Sequence, residues 1–98
     1  MNLRDRYDFD TLVNEAERLV LEEMERQLDS EEHQGMCMCE DCILDIAALA
    51  LNNIRPMYRV TLLGSLYTAS VEHTPYMEEV QKAVGNAIRK VKVNPSHG

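Results

Sequence analysis

The sequence predicts a mainly α fold, a small domain of three to four helices with one short extended segment. Three observations support this prediction. Apolar residues recur at three- and four-residue steps in residues 12–28 and again in 77–91, as on one face of an amphipathic helix. Residues 42–54 are apolar almost all round, which is typical of a helix covered on most sides. Residues 58–63 are rich in β-favouring types and stop at Gly64, so they are predicted to be extended.

The length of 98 residues indicates a single domain spanning residues 1–98. A domain of this size buries only roughly 60–65% of the surface that its unfolded chain exposes, so its own core is thin. Hydrophobic residues make up 45% of the chain and charged residues 28%, as in an ordinary globular protein and unlike a disordered one. We therefore expect the chain to fold, with stabilisation from outside its own core.

Composition and charge indicate the cellular location and exclude some classes of binding partner. No stretch approaches the roughly 18 apolar residues of a membrane span, and the N-terminal residues lack the apolar centre of a signal peptide, so we expect a cytoplasmic protein that binds no membrane. The net charge of -7 argues against direct nucleic-acid binding, which requires a basic face. Residues 1–45 hold 14 acidic and 4 basic side chains, whereas residues 46–98 hold 3 and 6. If the protein binds an anion, the binding site is therefore expected in the second half.

The first helix is predicted to begin at a capping residue, Asp10 or Thr11. Its apolar face comprises Leu12, Val13, Ala16, Leu19, Val20, Met24 and Leu28. The remaining side carries a run of carboxylates that we expect to be solvated, including Glu15, Glu22, Glu23 and Glu25.

The second helix, residues 43–53, is predicted to end before Pro56, because proline lacks the amide donor and disfavours helix at the preceding residue. Its largely apolar surface predicts a homodimer in which a partner chain covers part of it. The last helix is predicted to start at Thr74 and Pro75 and to stop at Asn94 and Pro95. Whether residues 58–63 pair into a sheet is left open.

Three cysteines, Cys37, Cys39 and Cys42, lie within six positions as C-x-C-x-x-C. The C-x-x-C spacing lets two thiolates converge on one ion, and soft thiolates favour zinc, with iron as an alternative. Reducing cytoplasmic conditions disfavour a disulfide framework. Packing cysteines, a thiol redox switch and iron–sulfur ligation are the competing interpretations.

A structural zinc site needs four ligands, and the chain has only three cysteines. The candidates for the fourth ligand are His33, His73, His97 and a solvent molecule. We favour His97, because its ligation would fold the end of the last helix back onto the cysteine loop. No nucleophile beside a base is visible, so we expect no enzymatic activity and name no catalytic residue.

Several sequence motifs together resemble the late competence development protein ComFB family. They are C-M-C-E-D-C at residues 37–42, D-I-A-A-L-A-L-N-N-I-R-P-M-Y at 45–58, V-T at 60–61 followed by Gly64, and the closing N-P-x-H at 94–97. With the first amphipathic helix, the resemblance covers most of residues 12–97. It implies a small, mainly helical, dimeric zinc protein that acts in regulation and binds a cyclic dinucleotide, c-di-GMP or c-di-AMP.

The ligand-binding residues proposed on this resemblance are Tyr58, Arg59, Thr61 and Tyr67. Their chemistry suits the ligand, since a cyclic dinucleotide offers phosphates to cationic donors and bases to flat aromatic surfaces. In a competing interpretation, Tyr58, Val60 and Leu62 form a buried strand face while Arg59 and Thr61 point to water. A thiol and zinc redox sensor, or a protein interaction module without a small ligand, is the alternative function.

Overall fold

A computed structural model of the chain describes residues 1–60 and 75–95. The helices of these residues are α1 (Leu3–Arg6), α2 (Ala16–Leu28), α3 (Glu40–Leu51) and α4 (Pro75–Val93), with short 3₁₀ turns at Phe9–Thr11 and Glu31–His33. Two short strands, β1 (Val13–Asn14) and β2 (Tyr58–Arg59), pair antiparallel, with Val13 opposite Arg59. The predicted mainly helical fold with a short extended segment is thus confirmed. No helix in the described ranges is long and apolar enough to cross a membrane.

The core lies where α2, α3 and α4 pack against one another, with α4 contacting both of the other helices. Each helix contributes an apolar stripe at three- and four-residue spacing, as the periodicity predicts. The largest fully buried side chains are Leu19, Val20, Cys42, Ile46, Val80, Val84 and Ile88. Cys42 therefore belongs to the core as well as to the cysteine cluster.

The first long helix begins later than the sequence predicts. Instead of capping it, Thr11 ends a 3₁₀ turn, in which the Asp8 side chain accepts a hydrogen bond from the Asp10 amide at 3.0 Å. The helix begins at Ala16, whose amide donates to Asn14 Oδ1 at 3.1 Å. The prediction failed because pairing with β2 keeps Val13 and Asn14 extended, and a contact between distant residues leaves no mark on local periodicity.

The predicted solvated carboxylate face is correct for Glu22 and Glu25 and wrong for two of its members. Glu15 and Glu23 are only 5% and 3% exposed. Burial of a carboxylate requires partners, and each has them. Arginine side chains hydrogen-bond to both carboxylates, Arg59 and Arg18 to the first and Arg26 to the second.

The predicted limits of the last helix are confirmed, but the second long helix is shifted from the predicted residues 43–53. It begins at Glu40, because Cys39 caps it one turn before the apolar run. The second long helix ends at Leu51, before Pro56, and the last helix runs from Pro75 to Val93, just before Asn94 and Pro95. The competing interpretation of residues 58–62 is wrong where it can be checked, because Tyr58 and Val60 are 62% and 57% exposed. Arg59 is the more buried residue of that strand, since Glu15 holds it.

Candidate metal centre

The cysteines lie in a turn and at the start of α3. Gly35, at φ +85°, adopts a left-handed conformation that glycine tolerates best, and it precedes the cysteine segment. Cys39 is the N-cap of α3: its Sγ accepts a hydrogen bond from the amide of Cys42 at 3.5 Å. The cap therefore fixes two of the three cysteines relative to each other.

The three sulfur atoms all lie within 4.8 Å of one another. Tetrahedral zinc, with Zn–S distances of about 2.3 Å, requires sulfur atoms roughly 3.8 Å apart, so small side-chain adjustments suffice to bind an ion. Cys42 is fully buried, Cys37 and Cys39 are half-buried, and none of the three forms a disulfide. The donor set and its spacing fit a soft metal ion.

The site is also electrostatically suited to thiolates. It lies at the N-terminus of α3, where unsatisfied amides and the helix dipole carry partial positive charge. The neighbouring carboxylates Glu40 and Asp41, in the first turn of α3, are exposed and are not members of the cluster. The three donors found in the described residues are all sulfur, and a tetrahedral zinc ion would need one further ligand.

Of the three histidines proposed as the fourth metal ligand, the structure describes His33. His33 is buried, its Nδ1 lies 3.4 Å from Lys92 Nζ, and it does not join the cysteine cluster. The Lys92 ammonium also donates to the backbone carbonyl of Glu32. His73 and the favoured ligand His97 lie outside the described residues, so the choice of His97 stays a prediction.

The predicted nucleotide-binding residues are only partly described. Tyr58 presents an exposed ring, whereas the guanidinium of Arg59 is held by Glu15. Thr61 and Tyr67 lie outside the described residues. Any ligand that uses Arg59 would therefore compete with a buried carboxylate.

The most important residue that sequence reasoning missed is Glu15. Hydrogen bonds from Arg59, then from Arg18, together with their charges, lower the pKa of Glu15 despite its burial. The neighbouring Asn14 also joins two segments, because its Oδ1 accepts hydrogen bonds from the amides of Ala16 and Met57 at 3.1 and 2.8 Å. No sequence signal distinguishes Glu15 from the other acidic residues of α2.

Comparison with known proteins places the chain in a family. No curated protein sequence matches it significantly. Among solved structures, the late competence protein ComFB from Bacillus subtilis is similar, with 28% identity and a TM-score of 0.72 over 87% of this chain and 92% of that chain. The sequence model of the family described as late competence development protein ComFB matches residues 13–95, which include the cysteine cluster and all three core helices. The chain therefore belongs to the ComFB family.

Proposed function

We propose that this ComFB-type protein is a zinc-binding regulatory protein that works as a homodimer and as a receptor for a cyclic dinucleotide. The observation that carries the zinc proposal is the cluster of three sulfur atoms within 4.8 Å at the start of α3. The same cluster supports a regulatory role over an enzymatic one, because thiolate-rich zinc sites are usually closed and structural.

Elemental analysis of the purified protein tests the metal. We expect about one zinc ion per chain. The Cys37→Ser variant should retain much less zinc, whereas Ser30→Ala, a change at an exposed residue outside the cluster, should retain it all. Protein free of both zinc and iron would contradict the proposal, and iron in place of zinc would correct the identity of the metal.

The fourth ligand is proposed to be His97. In support, Lys92 near the end of α4 donates to the carbonyl of Glu32, so this end of the helix lies beside the segment that leads into the cysteines. His97→Ala should weaken zinc binding in a competition titration with a colorimetric chelator, and His33→Ala should not. Unchanged affinity in His97→Ala would return the choice to His33, His73 or a solvent molecule.

The homodimer is supported by the outer face of α3. Leu44 is 60% exposed there, and Ala48, one turn further, is exposed as well. Light scattering should give a dimer for the wild type and a monomer for Leu44→Asp. The matched control is Leu12→Asp, since Leu12 is 44% exposed on a different element and its replacement should leave the dimer intact. A wild-type monomer at micromolar concentration would contradict the proposal.

The nucleotide proposal rests on family membership, with Tyr58 as the structural support because its exposed ring is available for stacking on a base. Calorimetry with c-di-GMP and c-di-AMP tests it. We expect Tyr58→Ala and Arg59→Ala to weaken binding, and Tyr7→Ala, a comparably exposed tyrosine, to leave it unchanged. No heat with either nucleotide would leave a zinc-binding interaction module.

A thiol redox sensor is the second candidate function. It is favoured by one observation, that two of the clustered cysteines, Cys37 and Cys39, are partly exposed and so accessible to oxidants. Mild peroxide should then release zinc to a fluorescent zinc dye, and a thiol reductant should allow the metal to rebind. Zinc that stays bound under peroxide would contradict this function.

A further inference from the structure

An open apolar groove of about 550 Å³ lies between α2 and the segment that enters α3. Leu21, Met24 and Leu28 follow one another at steps of three and four residues and form one wall, while Met38 and Ile43 belong to the other. Leu21 and Met38 are 50% and 56% exposed. Leu21 and Met38 are therefore exposed to solvent, although they lie beside the buried core.

The rim of the groove is acidic. Glu25 and Asp29 line it, both are exposed, and neither forms an ion pair within residues 1–60 and 75–95. The surrounding half of the chain is acidic too, with 14 acidic against 4 basic residues in 1–45. An apolar floor with unpaired carboxylates beside it is complementary to an apolar stripe flanked by cations.

We propose that this groove docks a basic amphipathic helix of a partner protein. The wall from Leu21 to Leu28 comprises eight residues, spans roughly 10 Å, and accommodates about two turns of a helix. Helix-in-groove binding uses apolar anchors at such spacing. Met24 and Met38 suit the role because flexible, polarisable methionine side chains adapt to varied anchors.

The acidic rim argues against the other occupants. A second copy that docked through the same face in a two-fold dimer would bring the carboxylates of Glu25 and Asp29 against their own equivalents. An anionic membrane surface would be repelled in the same way. The groove is also distinct from the proposed dimer face, because Leu44 and Ala48 lie on the opposite side of α3 from the fully buried Cys42 and Ile46 and do not line it. The proposal goes beyond the proposed function and requires neither the nucleotide nor the dimer.

Three synthetic peptides test the proposal by fluorescence anisotropy with the purified full chain. Each is a helix-forming 15-residue peptide with the same leucine stripe, and only the flanking residues differ, being lysine, glutamine or glutamate. The lysine peptide should bind at least tenfold more tightly than the glutamate peptide, with the glutamine peptide between them, and added salt should reduce the difference. Leu21→Ser should weaken binding of the lysine peptide several-fold, and Leu12→Ser, a similarly exposed leucine outside the groove, should not.

Charge reversal separates specific docking from general attraction to an acidic protein. In the double variant Glu25→Lys, Asp29→Lys the preference should invert, so that the glutamate peptide binds more tightly. The control Asp5→Lys, Glu17→Lys changes the net charge equally at exposed positions outside the groove and should keep the preference for lysine. The proposal is overturned if no peptide binds saturably, if the double variant still prefers lysine, or if Leu21→Ser converts a dimer of the protein itself into a monomer.

Discussion

The two ends of α3 are held in different ways. At its N-terminal end, the polar atoms that converge are three cysteine sulfurs within 4.8 Å, a set of donors suited to an ion that the chain itself does not supply. At its C-terminal end, the segment that follows the helix is held by the chain's own hydrogen bonds and ion pairs. We therefore expect the N-terminal end to gain stability from a bound ion, and the C-terminal end to depend on contacts within the chain.

The connections at the C-terminal end reach both neighbouring helices. The amide of Met57 donates to Asn14 Oδ1 at 2.8 Å, and its carbonyl accepts from the amide of Glu15 at 2.8 Å. The hydroxyl of Tyr76 in α4 donates to the carbonyl of Arg55 at 2.7 Å. Neighbouring parts of this segment thus fasten to α2 on one side and to α4 on the other.

Metal removal should give the largest effect and act on the N-terminal end. Structural zinc contributes on the order of 10 kcal/mol of apparent binding energy to folded small domains. A chelator should therefore lower the melting temperature by roughly 10 °C or more, measured by circular dichroism. Cys37→Ser should melt low with or without chelator. An unchanged melting temperature after verified metal loss would show that α3 needs no ion at this end.

Loss of the Glu15 charge should give the next largest effect, at the C-terminal end. Glu15→Gln removes charge-assisted hydrogen bonds from Arg59 and Arg18 and should cost about 1.5–3 kcal/mol in the free energy of unfolding. Urea denaturation measures it. The control is Glu22→Gln, which breaks an exposed pair with the same Arg18 and should cost about 0.3–0.5 kcal/mol. Equal effects of the two variants would mean that the burial of Glu15 has no energetic consequence.

Acid should weaken the ion pairs of two buried carboxylates, Glu15 beside the end of α3 and Glu23 within α2. Arginine hydrogen bonds lower the pKa of Glu15 below its ordinary value of 4.5. Burial alone would raise the pKa of Glu23, but hydrogen bonds from Arg26 and Gln27 and the Arg26 charge outweigh it, so that pKa is lowered too. The stability from both carboxylates is present above the unfolded-state pKa and is lost as pH falls through the lower folded-state values. The free energy of unfolding should thus decline below about pH 4.5, and less steeply in Glu15→Gln.

Removal of one hydroxyl should give the smallest effect. A tyrosine hydroxyl is protonated at neutral pH, and burial raises the pKa of Tyr76 further, so its hydroxyl can donate to the carbonyl of Arg55. Tyr76→Phe keeps the buried ring and loses this hydrogen bond, so the free energy of unfolding should fall by about 1 kcal/mol. Tyr7→Phe, at an exposed tyrosine, should have almost no effect in the same urea titration. Equal free energies of unfolding for Tyr76→Phe and Tyr7→Phe would show that the hydrogen bond from Tyr76 to the carbonyl of Arg55 contributes nothing to stability.

Local features of the sequence correctly predicted much of the fold. Spacing of apolar residues predicted the three core helices, and Pro75, Asn94 and Pro95 marked the limits of α4, because a helix needs one apolar face and proline acts on its neighbours directly. The cysteine spacing correctly predicted that the three sulfur atoms converge, since all three lie within one turn and the start of one helix. Contacts between distant residues could not be predicted in this way.

The sequence by itself determined the helical class and the cysteine cluster, because both depend on residues close together in the chain. It also determined the family, because the family motifs consist of residue types and spacings that the sequence states directly. Only the tertiary structure decided that α2 starts at Ala16 and that Glu15 is buried, since both depend on residues 57–59, more than forty positions away. The sequence around an acidic residue is the same whether its side chain faces water or an arginine. Its environment is set by which segment packs over it, and that information exists only once the helices have assembled.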